Sequence, residues 1–167
     1  MAMTAEAAYW FLPAVIPFSI YVAWRDLSTM KIPNKANMIL LGIYAVFGLF
    51  AFPFDLYLWQ WLHIPIVFAV GLLLWMGRLM GAGDVKFLVA ASPFFVVTSW
   101  DDGYFLIVLY TSSLLAGVIV FYSFKFLPVL HAPVSGWQSL REGRRFPKGP
   151  MLAVILLAYL ILAAVYG

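Results

Sequence analysis

The sequence predicts an all-α polytopic membrane protein, a single domain over residues 1–167 with six spanning helices and both termini outside. Three observations lead there. Charge is scarce: 10% of the 167 residues are charged and 65% are hydrophobic, whereas a soluble domain carries about 25% charged residues. With a mean hydropathy of +0.99, a water-soluble globule is excluded. The few charges also cut the chain into apolar stretches close to the length that crosses a bilayer. Finally, the basic residues all fall on one side of the resulting topology.

A spanning helix needs about 20 mostly apolar residues. The first stretch, 7–24, follows Glu6 and stops at Arg25. It has no basic segment before it, so it is a retained span and not a cleaved signal peptide. The turn "DLSTMKIPNKAN" leads into the second span, 36–54. "FPFDLYLWQWLHIP" closes the outer side before the third, 56–77, with the Trp and Tyr content of an interfacial belt. The next charge-free gap, 87–100, is too short to cross alone. It reaches spanning length only by starting at Gly81, which carries Asp84 and Lys86 into the first turns of a fourth span, 81–100. "SWDDG" closes the outer side again, and 103–124 is the fifth span. Residues 125–148 form a basic cytoplasmic loop with a short interfacial helix expected around Ser135–Glu142, and 149–167 is the last span.

With six alternating spans, all ten Lys and Arg residues lie on one face, from Arg25, Lys31 and Lys35 through Arg78 and Lys86 to the 125–148 loop. The opposite face holds Glu6, Asp55, Asp101 and Asp102. The positive-inside rule puts the basic face in the cytoplasm. Membrane insertion accounts for the net charge of +3, and no nucleic-acid partner is expected. There is no cysteine, which removes disulfides, thiol chemistry and Cys-zinc sites. His63 and His131 fall on opposite faces, so no metal site is expected.

Two aspartates share the basic face, and by position alone each has a structural reading, Asp84 as a first-turn acid paired with Lys86 or Arg78 and Asp26 as a helix-end residue beside Arg25. Asp26 follows the first span and Asp84 opens the fourth. Two carboxyls brought together do not both ionise cheaply, and a pair holding one proton can activate water and protonate a leaving amine. Such chemistry needs no metal, cofactor or cysteine. Gly81 and Gly83 permit unusual backbone angles and close approach of a peptide or helix. The helix that follows them favours an anionic Asp84 through its dipole, which makes Asp26 the expected holder of the proton. Pro33 and Asn34 start the second helix, with contact to the catalytic pair left open. Arg25, Lys31 and Lys35 serve as topology determinants.

"GAGDVK" before a membrane helix, with an upstream Asp-x5-Ile-Pro-Asn and a late "FPKGP", resembles the type IV prepilin peptidases, the GxGD membrane aspartyl proteases. The match is nearest to the short form serving tight-adherence (Flp-type) pili. The resemblance implies a bacterial inner-membrane enzyme that removes the short basic leader of prepilin or pseudopilin precursors at the cytoplasmic face. It implies Asp26 and Asp84 as the catalytic pair, Gly81 and Gly83 as motif glycines, and Lys86 as the family's common lysine. Long members carry a cysteine-rich segment and also methylate the new N-terminus. This sequence has no such segment, so cleavage without methylation is expected. The alternative from another class is a small transporter or secretion-system subunit that uses an intramembrane acid for proton coupling. Both acids lying at one edge, away from the midplane, disfavour it.

Overall fold

The computed structural model describes residues 2–126 and 148–167. It is all-helical over these residues: α1 (Ala5–Thr29), α2 (Asn34–Ala51), α3 (Phe54–Trp61), α4 (His63–Met76), α5 (Ala82–Ala91), α6 (Trp100–Phe126) and α7 (Gly149–Tyr166). Among the described residues five segments are long and apolar enough to cross a membrane, with α3 and α4 counting as one, Phe54–Met76. The polytopic all-α architecture is therefore present. The interfacial helix expected around Ser135–Glu142, the basic cluster at 143–145 and His131 lie outside the described residues.

The core forms where α1 meets α7. Phe11, Val15 and Val22 of α1 are fully buried, as are Leu156, Leu160 and Ala163 of α7. The two helices run antiparallel, since Gly149 lies against Asp26 at one end and Gly167 against Met3 and Ala5 at the other. On the other side of α1, α2 packs antiparallel after a short turn. Outward faces keep large apolar side chains such as Ile20, Phe50, Leu73 and Ile119 exposed, as a lipid-facing surface requires.

The fourth span departs from expectation. Residues 81–100 do not form one continuous helix: α5 has ten residues, a 3-10 turn covers Ser92–Phe94, and 95–98 are non-helical. Pro93 stands at the break, although Pro13 and Pro17 leave α1 continuous. Pro93 has no N–H to give the Val89 carbonyl, and its ring crowds that carbonyl. The Ser92 hydroxyl donates to Val89 O instead, at 2.9 Å. Beyond the turn, one side chain serves the exposed backbone of Val96: the Tyr159 hydroxyl accepts from Val96 N at 3.0 Å and donates to Val96 O at 3.3 Å. Irregular backbone at membrane depth persists only where protein satisfies it, and Tyr159 of α7 does so here.

The broken segment still travels the length of the bundle. Phe87 stacks on Phe18 with centroids 6.4 Å apart, and Phe94 packs edge-on against Phe11 at 5.0 Å. The segment therefore runs opposite to α1, from the level of Asp26 toward the other end. At the usual rises of helix, 3-10 turn and extended chain, residues 82–98 reach about 34 Å, enough for about 30 Å of hydrocarbon.

Candidate active site

Asp26 sits in the last turn of α1, which is closed tightly by its own sequence. The hydroxyls of Ser28 and Thr29 donate to the Arg25 carbonyl at 3.2 and 2.7 Å. Met30, in the left-handed conformation with φ 53°, donates its N–H to the Asp26 carbonyl at 2.8 Å. Carbonyls that a helix end leaves without partners are thus served, and the Asp26 side chain is held at 5% exposure.

Asp84 stands in the first turn of α5, where Gly81 is the N-cap. Its Oδ2 accepts the Gly81 N–H at 3.3 Å, one half of a capping box. Gly71 of α4 packs on the next residue so closely that a Cβ there would stand 2.6 Å from Val85 Cγ1. That contact fixes the start of α5 against α4.

The two carboxyls line one cleft of about 570 Å³. Gly81, Gly83, Lys86, Pro33 and Asn34 line it as well, so the structure gathers the residues singled out from the Asp26 and Asp84 motifs. Pro33 is the N-cap of α2 and Asn34 its first residue. The Lys86 ammonium crosses the cleft rim to Asn34 Oδ1 at 3.0 Å, joining the two motifs directly. Among the described residues no set of three His, Asp or Glu side chains stands where it could hold a metal ion.

One expectation about the glycines is corrected. Gly81 has φ −74° and ψ 150°, extended backbone that any residue adopts, and Gly83 lies within α5. Neither is needed for an unusual backbone angle. What they provide is space. A Cβ on Gly83 would meet nothing within 4 Å, and one on Gly81 would press on Asp84 Oδ2 at 3.0 Å.

The model of the type IV leader peptidase family matches residues 14–121. The chain belongs to this family. No curated protein matches it, and no solved structure does. The matched region of the leader peptidase runs from within α1 to within α6 and contains both aspartates and the whole cleft lining.

Outside that region lies a contact that the sequence did not disclose. The backbone N–H of Gly149, the first residue of α7, donates to Asp26 Oδ2 at 2.9 Å. Nothing in the wording of the late motif "FPKGP" says which residue it touches. The leader peptidase also has His63 against the backbone of Ser92, beside the 3-10 turn. That histidine is a packing residue remote from the cleft lining.

Proposed function

We propose that this leader peptidase is an aspartyl endopeptidase of the short, tight-adherence type, working in the bacterial inner membrane. It removes the basic leader from prepilin or pseudopilin precursors at the cytoplasmic face. The observation that carries this is the meeting of Asp26 and Asp84 in one cleft, at the end of the bundle where the basic residues Arg25, Lys31 and Lys86 also gather.

In each carboxyl Oδ2 accepts a backbone N–H, which leaves Oδ1 for water and substrate. The pair shares one proton. The charged carboxyl takes a proton from water as the water oxygen attacks the scissile carbonyl. The protonated carboxyl gives its proton to the carbonyl oxygen; as the tetrahedral intermediate collapses, the first carboxyl passes the proton it took from water to the departing amine and a hydroxyl of the intermediate returns its proton to the second, so the pair again holds one proton. The precursor's hydrophobic helix lies in the bilayer against the enzyme while its leader stays at the cytoplasmic surface. The open space beside Gly83 admits the substrate backbone. No metal or cofactor takes part. The new N-terminus is left unmethylated, a reading supported by the lack of any cysteine in the 167 residues.

The transporter reading gains one point, because the fourth crossing is broken, as transporter helices often are. The break does not suit it otherwise. Phe94 and Val96 at the break are buried and apolar, and the acids stand at the far end of the segment.

Asp26→Asn and Asp84→Asn each keep the shape of the side chain and lose its proton chemistry. Both variants should insert at wild-type abundance and leave co-expressed prepilin uncleaved, and the double variant should be no worse than either. Mass spectrometry of the mature pilin reads cleavage and the N-terminus together. Wild-type processing by either single variant refutes the aspartyl mechanism, and an added methyl group that depends on this enzyme refutes the second half of the proposal.

A further inference from the structure

Gly149 is buried where α7 begins, against the last turn of α1. The first N–H groups of a helix have no carbonyl within it, and that of Gly149 goes to Asp26 Oδ2 at 2.9 Å. Pro150, next in line, has no N–H to offer. The fit also depends on the missing side chain. A Cβ at 149 would stand 2.7 Å from Cβ, Cγ and Oδ2 of Asp26, closer than real Cβ contacts come, and Asp26 is too short and too buried to swing aside.

Lys148 reaches the other half of the cleft. Its ammonium donates to the Leu79 carbonyl at 2.8 Å, two residues before the N-cap of α5. The same ammonium is an electrostatic neighbour of Asp84, which also faces Asp26, Arg25 and Lys31 across the cleft, Lys86 on its own helix and Tyr110 of α6. One dipeptide thus touches Asp26 directly and holds the strand of chain that leads to Asp84. These partners are 123 and 69 residues away in sequence.

We propose that Lys148–Gly149 is the positioning element of the leader peptidase cleft: Gly149 seats Asp26 through its N–H and its lack of a Cβ, and Lys148 ties the Asp84 loop to α7 while acting on that carboxyl with its charge. The proposal rests on the aspartyl-peptidase reading. Two carboxyls that share a proton work only at a set separation, and misplacing a reacting group by about 1 Å costs about 100-fold in rate. A seat built from backbone and a missing side chain is rigid, which suits a residue whose position sets the rate.

The test uses the full chain in phosphatidylethanolamine–phosphatidylglycerol proteoliposomes with a Flp-type prepilin that the wild-type enzyme cleaves. Gly149→Ala should lower kcat by about 100-fold and change KM by less than about threefold. Lys148→Met should move the pH–rate profile to higher pH, because a carboxyl pair that loses a nearby cation ionises less readily. Lys148→Arg keeps charge and donor and should keep the wild-type profile. A purely structural tether would lower the rate without moving the profile. Gly149→Ala with kcat within about threefold of wild type overturns the proposal, and so does a Lys148→Met profile that does not move. If Gly149→Ala fails to accumulate, the two Lys148 profiles decide. Asp26→Asn and Asp84→Asn run beside them as controls. If those controls cleave at full rate, the aspartyl reading falls and takes this proposal with it. If they are inactive while Gly149→Ala and Lys148→Met behave as wild type, only the positioning role falls.

Discussion

That Asp26 and Asp84 come together was legible in the sequence, because an apolar chain places acids sparingly and these two fall among the basic residues that line the same cleft. Their partners were less legible. Lys86, two residues from Asp84, donates to Asn34 Oδ1 in the other motif, 52 residues away, and contacts of such range depend on how helices pack. The same distance hid Gly149. The glycines misled in a smaller way, since a GxG pattern suggests unusual backbone and here marks open space beside Gly83. The Lys86–Asn34 bond supports a prediction. It is exposed, so solvent competes for it and its net contribution is modest. Lys86→Ala and Asn34→Ala should each lower cleavage by about three- to tenfold, and because they break one bond the double variant should match the worse single one. Initial-rate kinetics on the four proteins would check this. A Lys86→Ala enzyme as inactive as Asp84→Asn would mean that the ammonium does more than bridge two helices.

At the scale of elements, counting apolar residues between charges located α1, α2, the α3–α4 pair, α6 and α7 well, because hydropathic length is a local property. It could not locate the break in the fourth span. Residues 81–100 have the composition of a helix, and only Ser92-Pro93 hints that the helix stops. The stop is stable because of a residue in another element: Tyr159 serves both the N–H and the carbonyl of Val96. Tyr159→Phe keeps the ring, its contact with Phe95 at 5.0 Å and its packing, but leaves both backbone groups buried without a partner. Each such loss costs about 1–3 kcal/mol. Two of them in a chain of this size lower the melting temperature by about 4–24 °C, as read by thermal unfolding in detergent. Cleavage per folded molecule should stay near wild type, because Tyr159 lies well along α7 from Gly149 and outside the cleft lining. An unchanged melting temperature would show that the hydroxyl is not what holds the broken segment. On the same end of the bundle, Asp102 accepts from Thr98 and Ser99, both backbone and side chain, and Ser99 Oγ accepts its N–H at 3.2 Å. That aspartate is a capping residue for α6, which explains an acid on the face without basic residues.

For the whole molecule the question is whether the chain crosses the membrane five times or six. Among the described residues five segments have spanning length by themselves, and a broken fourth segment that turned back would put the start of α6 on the same side as Asp84. The packing argues for a crossing. Asp84 shares the cleft with Asp26, and Phe94 meets Phe11, two levels of α1 that lie about 22 Å apart at the rise of an α-helix. Trp100 then stands almost fully exposed at 95%, as befits a residue at a membrane interface, with the acidic Asp101 and Asp102 beside it. Six crossings also keep all ten Lys and Arg residues on one side, which five cannot do, because α6 would then deliver the 125–148 loop and its basic residues to the outside. Reporter fusions after Lys35, Lys86 and Arg145 should therefore read cytoplasm, and fusions after Asp55 and Asp102 should read outside. The Asp102 fusion is the decisive one. A cytoplasmic signal there would make residues 82–98 a re-entrant segment, and the fusions at Lys86 and Arg145 would then report opposite sides.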